Sequence, residues 1–374
     1  MDNNSTTRLY DKVIKNMICI LQHHYANPST SYKIGHDARI IINKARKSIA
    51  KILDIPNLCN LIFTSGASES NNNMIRGYLL RCNTRKSKPK ILCSTIEHSS
   101  IYETCILLNK LGLCELEFIP VDTNGFINQQ IYENMIDNNT KLVCIMLGNN
   151  EIGTIQNIKK LLSILKNKNP DSFFLCDATQ IIGKYKISFK NLDVDGISFS
   201  AHKFHGPKGI GCMYLKDLNS ILSCNTGGSQ EYNLRAGTEN TASIFGMALA
   251  LKISYNKINE NIKKIKYYRD YMENKLLKYI PNAVINCPIN DINKRMYSVL
   301  NITLPTTVNI LNILNNYNIY INVGSACNKG KQSRVLSAIG LTDEQIKSTI
   351  RISLSTFNTI EECDYVVNKI IEII

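Results

Sequence analysis

Six short apolar runs, at residues 60–64, 90–94, 141–147, 172–176, 196–200 and 211–215, each give way at once to small or polar positions. Runs this short, closed by Gly, Asn, Asp or hydroxyl residues, have the length and punctuation of buried strands rather than helices. Between them, residues 70–80, 101–111 and 159–166 carry helical spacing. Buried strands alternating with helices predict an α/β fold around a large, mainly parallel sheet. Such sheets take ligands beyond the carboxyl ends of their strands, so the residues just after each run are the ones to inspect for chemistry. After about residue 250 the pattern changes. Residues 249–277 read as one long, Lys-rich amphipathic helix linking two units. Strands are expected at 299–303, 319–323 and 351–354, with helices at 308–315 and 360–373, which together suggest a smaller α+β domain.

Charge and cysteine content narrow the function. The formal charge of +14 is spread along the chain in short runs, which suits anionic partners such as a phosphate or an acidic protein. Direct nucleic-acid binding is not expected from so scattered a distribution. Thirteen cysteines form neither an even set nor any C-x-x-C pair, so neither a disulfide framework nor a metal site is expected. Several, including Cys93, Cys144, Cys176 and Cys212, sit inside apolar runs, where a free thiol packs as a small hydrophobe. The polar first residues do not resemble a secretory signal, and no apolar stretch is long enough for a membrane span. A cytoplasmic protein is the expectation.

Five strings placed after the runs carry polar chemistry. Residues 198–209 (SFSAHKFHGPKG) end a strand in hydroxyl, imidazole and amine groups and then turn. A lysine fixed there suits Schiff-base formation with an aldehyde cofactor, although taken singly it could be a basic surface loop. Residues 63–72 (FTSGASESNN) put Gly and small hydroxyls where a helix begins, which is either a phosphate site or an ordinary cap. Asp177, closing the fourth run, is a turn residue or a partner for a protonated pyridine nitrogen, with Gln180 three positions on. His98 could be a loop residue or could stack on an aromatic cofactor and move protons. Asn149 and Asn150 form a turn or hydrogen-bond a substrate carboxylate or the cofactor.

Together these strings resemble the NifS/IscS-type cysteine desulfurases of the class V aminotransferase superfamily. Further matching segments are residues 2–7 (DNNSTT), 227–231 (GGSQE), 235–240 (RAGTEN), 324–327 (GSAC) and 351–354 (RISL), in order along the chain. The resemblance implies a fold type I, aspartate aminotransferase-like transferase that uses pyridoxal 5′-phosphate. It divides the chain into residues 10–255 for the large cofactor domain and 1–9 plus 256–374 for the small one. It implies that Lys203 carries the cofactor, Asp177 pairs with the pyridine nitrogen, Gln180 contacts the phenolic oxygen and His98 stacks on the ring. Ala67, Ser68, Ser200 and His202 would hold the phosphate, with Thr238 supplied by the second subunit of a homodimer. Asn150 and Arg351 would bind the carboxylate of the substrate, L-cysteine, and Cys327 would accept its sulfur. Lys329, Lys331 and Arg334 near Cys327 favour a thiolate. The acceptor beyond Cys327 would be a protein, either an iron–sulfur scaffold or a tRNA-thiolation enzyme. An aminotransferase or a selenocysteine lyase on the same scaffold is the nearest alternative, and the 324–327 string argues against the former.

Overall fold

The computed structural model describes residues 1–82, 88–288, 290–324 and 332–374. Seven strands form one sheet: β1 (Leu61–Thr64), β2 (Lys90–Ser94), β3 (Glu115–Ile119), β4 (Thr140–Cys144), β5 (Phe173–Asp177), β6 (Gly196–Ser200) and β7 (Gly211–Leu215). Their spatial order is β1-β7-β6-β5-β4-β2-β3. Strands β6 through β3 are mutually parallel, and β7 runs antiparallel to both of its neighbours. The carboxyl ends of β1, β2, β4, β5 and β6 therefore share one rim with the start of β7.

Alternate residues of each strand feed two separate apolar layers, as a period of two requires. Phe63, Leu92, Val143, Phe174, Ile197 and Phe199 pack on one face with the Lys33–Leu53 and Thr241–Asn256 helices. Ile62, Ile91, Leu142, Leu175 and Met213 pack on the other with the Ala67–Arg81 and Ser99–Lys110 helices. Cys93, Cys144, Cys176 and Cys212 lie in these layers, and burial holds their thiols well above the ordinary range. The outer edge of β1 is closed by an ion pair instead of a strand. Arg46 donates to the Leu61 carbonyl, Glu231 Oε2 accepts from the Phe63 N–H at 2.7 Å, and the two side chains meet at 2.5 and 3.1 Å. Two backbone groups that a sheet edge would leave bare are thereby satisfied.

The second sheet is small and antiparallel: β8 (Val284–Ile285), β9 (Val299–Thr303) and β10 (Thr349–Ser353), in the order β10-β9-β8. Its core is shared with the Ile258–Tyr279 and Ile360–Ile373 helices. Two expectations fail here. Residues 249–277 are not one helix: the chain breaks at Lys257 (φ −105°, ψ 8°), between Thr241–Asn256 and Ile258–Tyr279. The first helix is buried against the large sheet and the second against the small one, and a single straight rod does not serve both. Residues 319–323 are not a strand either, since only Asn322 bridges β10, at Arg351. The amino-terminal segment takes that edge: Asp2 bridges Ser353, and Ser353 donates to the Met1 carbonyl at 2.9 Å.

Candidate active site

A cavity of about 420 Å³ opens at the rim where the strand ends gather, a size ordinary for a cofactor or small-molecule site. Each strand end delivers a different group. After β1 come Ser65 to Ser68, after β2 His98, after β4 Asn150, after β5 Asp177 and Gln180, and after β6 His202 and Lys203, with Lys208 and Gly209 leading into β7. Arg351 from β10 and Asn4 to Thr6 close the remaining wall.

One end of the cavity suits an anion. The Ala67–Arg81 helix starts there, and its cap residue is Gly66, so no side chain caps the first turn. A Cβ on Gly66 would lie 3.6 Å from Ser200 Oγ and would fill the space between helix start and hydroxyl. His202 is anchored by Thr6 at 3.2 Å. Burial, then the nearby Lys203 and Lys208, push its imidazole down to about 4, so it is neutral at physiological pH. Glu69 in the first turn would repel an anion. Burial raises its carboxyl, but Arg235 at 3.0 Å and the Ser65 N–H at 2.7 Å outweigh that and hold it below the usual carboxylate range, turned onto partners of its own.

The middle of the cavity is built around Asp177, which is 3% exposed. Its two oxygens accept from the Thr179 N–H at 2.9 Å and from Asn71 Nδ2 at 3.1 Å. Asn71 also donates to Ser100 Oγ at 2.9 Å. The Ser100 N–H in turn donates to His98 Nδ1 at 3.1 Å, which assigns the proton of a neutral imidazole to Nε2. Directly beside His98, the buried Glu97 carboxyl is raised to about 8 by desolvation, although Met146 N–H and Ser94 Oγ bond one of its oxygens. Gln180 donates from Nε2 to the Asn4 carbonyl at 3.1 Å.

At the far wall Lys203 Nζ donates to the carbonyls of Asn4 and Ser5, at 2.6 and 2.8 Å. Arg351, 1% exposed, donates to the Asn150 carbonyl at 3.1 Å, to Asp2 at 2.5 Å and to Ser5 Oγ at 3.0 Å. A flat heteroaromatic aldehyde bearing a phosphate fits this set. The uncapped helix start with Ser200 and His202 matches the phosphate, a fixed carboxylate matches a ring nitrogen, and a lysine stands within the same cavity.

Of the residues singled out in the sequence, Lys203, His98, Ala67, Ser68, Asn150, Asp177, Gln180, Ser200, His202 and Arg351 all border this cavity. Thr238 does not. It is exposed in an adjoining groove of about 150 Å³ that shares Ser65 and Gly209 with the cavity wall. Cys327 lies outside the described residues, as do Lys329 and Lys331. Described residues on either side converge on one buried carboxylate. Ser333 Oγ donates to Glu151 Oε2 at 2.5 Å, and a Cβ on Gly324 would stand 2.6 Å from the same oxygen. Asn71, Asn4 and Lys184 were not anticipated as site residues. Asn71 was readable as part of the 63–72 string and Asn4 as part of the 2–7 string, whereas Lys184 is tied to the site by its bond to Asn4, 180 positions away.

A sequence profile for the family described as Aminotransferase class-V matches residues 1–366. The cysteine desulfurase IscS of Dictyoglomus turgidum is 35% identical, over 100% of this chain and 94% of its own length. A solved NifS-like protein superposes with a TM-score of 0.92 at 35% identity, covering 100% of this chain and 98% of its own. A second solved structure, SspA in complex with cysteine, gives 0.82 at 30% identity, over 96% and 99% of the two chains. Full-length agreement in sequence and fold, with a cavity that suits the family's pyridoxal phosphate, leads to one assignment: the chain belongs to the class V aminotransferase family and, within it, to the NifS/IscS-type cysteine desulfurases.

Proposed function

We propose that this enzyme removes sulfur from L-cysteine, giving L-alanine and a persulfide on Cys327, with Lys203 as the residue that carries the cofactor and moves the proton at the substrate α-carbon. The observation that carries the reading is the placement of Lys203, Asp177, Gln180, His98, Ser200 and His202 around one cavity at the strand ends. Pyridoxal phosphate, when bound, acts as an electron sink for the substrate α-carbon. Asp177 is held by Asn71 and the Thr179 N–H so that its carboxylate is fixed for the ring nitrogen. Ser68, Ser200, His202 and the helix start at Ala67 hold the phosphate. Gln180 would meet the phenolic oxygen, and His98, with Nε2 as its proton-bearing nitrogen, would stack on the ring.

Arg351 and Asn150 orient the substrate carboxylate, for which the Arg351 fork exchanges its contact with Asp2. Lys203, whose amine has acceptors ready in the Asn4 and Ser5 carbonyls, takes the α-proton as a neutral amine. Cys327 Sγ, as thiolate, bonds to the substrate sulfur while the carbon–sulfur bond breaks. That electron pair stays on carbon, which is protonated and leaves as alanine. His98 handles the proton near the departing group. The working unit is a homodimer in which the partner's Thr238 completes the phosphate site. The division at residues 10–255 against 1–9 plus 256–374 separates the cofactor cradle from the part bearing Cys327. The persulfide passes to an acceptor protein of iron–sulfur assembly or tRNA thiolation in the cytoplasm. No described helix is long and apolar enough to cross a membrane.

Incubation with cysteine followed by mass measurement of the Cys327 peptide should show one added sulfur. Cys327→Ser should keep the cofactor's visible absorbance and lose alanine formation. Full turnover in that variant would overturn the assignment.

A further inference from the structure

Behind Lys203 stands a second amine that the reaction scheme above does not use. Lys184 follows the Asp177–Gln180 turn and keeps part of its chain surface exposed, but its ammonium is enclosed. It donates to Gln180 Oε1 at 2.9 Å and to Asn4 Oδ1 at 3.0 Å. The Asn4 carbonyl accepts from both Gln180 Nε2 and Lys203 Nζ. Lys184, Gln180, Asn4 and Lys203 are thus linked in one hydrogen-bonded network, in which these two acceptors of Lys184 are neutral amide oxygens. The cations facing it are Lys203 and Arg351, the latter already joined to Asp2. His202 and His205 on the neighbouring turn are both kept neutral, mainly by burial and in part by Lys184 itself. A void of about 30 Å³ lies against Lys184 and Lys203 and is bordered by Tyr10, Tyr297 and Ser298. The Ser298 hydroxyl is buried without a partner, and the space is enough for about one water.

We propose that Lys184 is a positioning residue: it occupies the Gln180 carbonyl, so that Gln180 can only donate to the cofactor, and it shares one positive charge with Lys203, favouring an unprotonated Lys203. Enclosing a lysine that meets no carboxylate among the described residues disfavours the fold, and an apolar side chain of the same length would fill the space without that cost. Two ammonium groups that bond oxygens of the same residue, Asn4, are not both readily charged, by the like-charge rule that activates lysines beside a second cation. Burial, then Lys203 and Arg351, bring the Lys184 amine down to about 7, where it gives or takes a proton as its neighbour changes state.

This inference rests on the cofactor reading of the cavity and is tested without turnover. In cofactor-loaded, substrate-free enzyme, visible absorbance reports the protonation of the link between Lys203 and the cofactor. Lys184→Met should move the midpoint of its pH titration up by about 0.5–1 unit, because a neighbouring positive charge has gone. Lys184→Arg, which keeps the charge, should restore most of the shift. In cofactor-free protein, the Lys184 amine is brought down to about 7 from the ordinary lysine value near 10.5, so wild-type stability rises with pH from about 7 towards 10. The melting-temperature advantage of Lys184→Met over wild type should accordingly be about 2 °C or more larger at pH 6.5 than at pH 9.5. Lys184→Gln serves for both readings if the Met variant does not fold. An unmoved absorbance midpoint, or a melting difference that is flat in pH, overturns the role of Lys184. Wild-type enzyme that makes no alanine from cysteine, with the absorbance shift intact, would instead sink the desulfurase reading alone.

Discussion

Glu231→Gln is the substitution whose cost follows most directly from the geometry. Glu231 and Arg46 are 7% and 5% exposed, and Arg46 has a second acceptor only in the Leu61 carbonyl. Phe63 and Tyr232 lie against the guanidinium, at 4.5 and 5.3 Å from ring centre to cation, and shield it from water. A glutamine keeps the shape and still accepts from the Phe63 N–H, so the change removes little beyond the negative charge. What remains is a guanidinium enclosed without compensation, a loss of about 3–5 kcal/mol in unfolding free energy. The Arg46→Gln/Glu231→Gln double variant removes both charges and retains amide donors and acceptors, so it should be more stable than the single one. Urea unfolding of the cofactor-free protein, followed by far-ultraviolet circular dichroism, measures both. A loss below about 1 kcal/mol in Glu231→Gln, or a double variant less stable than the single one, would refute the claim that the pair closes the β1 edge. Because β1 leads directly into Ser65–Ser68, the single variant should also bind pyridoxal phosphate more weakly.

Two further outcomes follow from the site. The Glu97 carboxyl is raised to about 8, so it is protonated at neutral pH and Glu97→Gln should be near neutral below pH 5. A carboxyl raised on folding contributes stability that is lost as pH climbs from about 4.5 to its folded value, so the advantage of Glu97→Gln should grow between pH 5 and pH 8 and then level off; a flat difference in thermal melts would refute it. Asp177→Asn removes the charge opposite the ring nitrogen, and should lower alanine formation by about 100-fold or more while leaving the protein folded, judged by steady-state rates beside circular dichroism; activity within a few-fold of wild type would refute the role of Asp177.

The large sheet was legible because its central strands are buried on both sides and so read as unbroken apolar runs ending in polar residues. Strand β3, residues Glu115–Ile119, escaped notice because it is an edge strand with alternating exposure, and its two glutamates disguise it. The helices Asp11–His23 and Lys33–Leu53 were missed for want of sharp boundaries, since neither has a side-chain cap. Site residues at strand ends could be found because local order places them. Lys184 could not, since its bond to Asn4 spans 180 positions and nothing in its local sequence announces it. The 324–327 string is what the sequence offered against a transaminase, so the reaction was read from a motif while the cavity was read from the fold.

The amino-terminal segment has a consequence for how this enzyme would look under saturation mutagenesis. Lys203 rests on the main-chain oxygens of Asn4 and Ser5, which every amino acid supplies. Exchanging the Ser5 side chain would cost the Arg351 contact to its hydroxyl but leave those acceptors in place, so a substitution map would not register the support given to Lys203. Only an edit that reroutes the segment itself, a deletion or an insertion between Asp2 and Thr7, would reveal that the Lys203 amine depends on it.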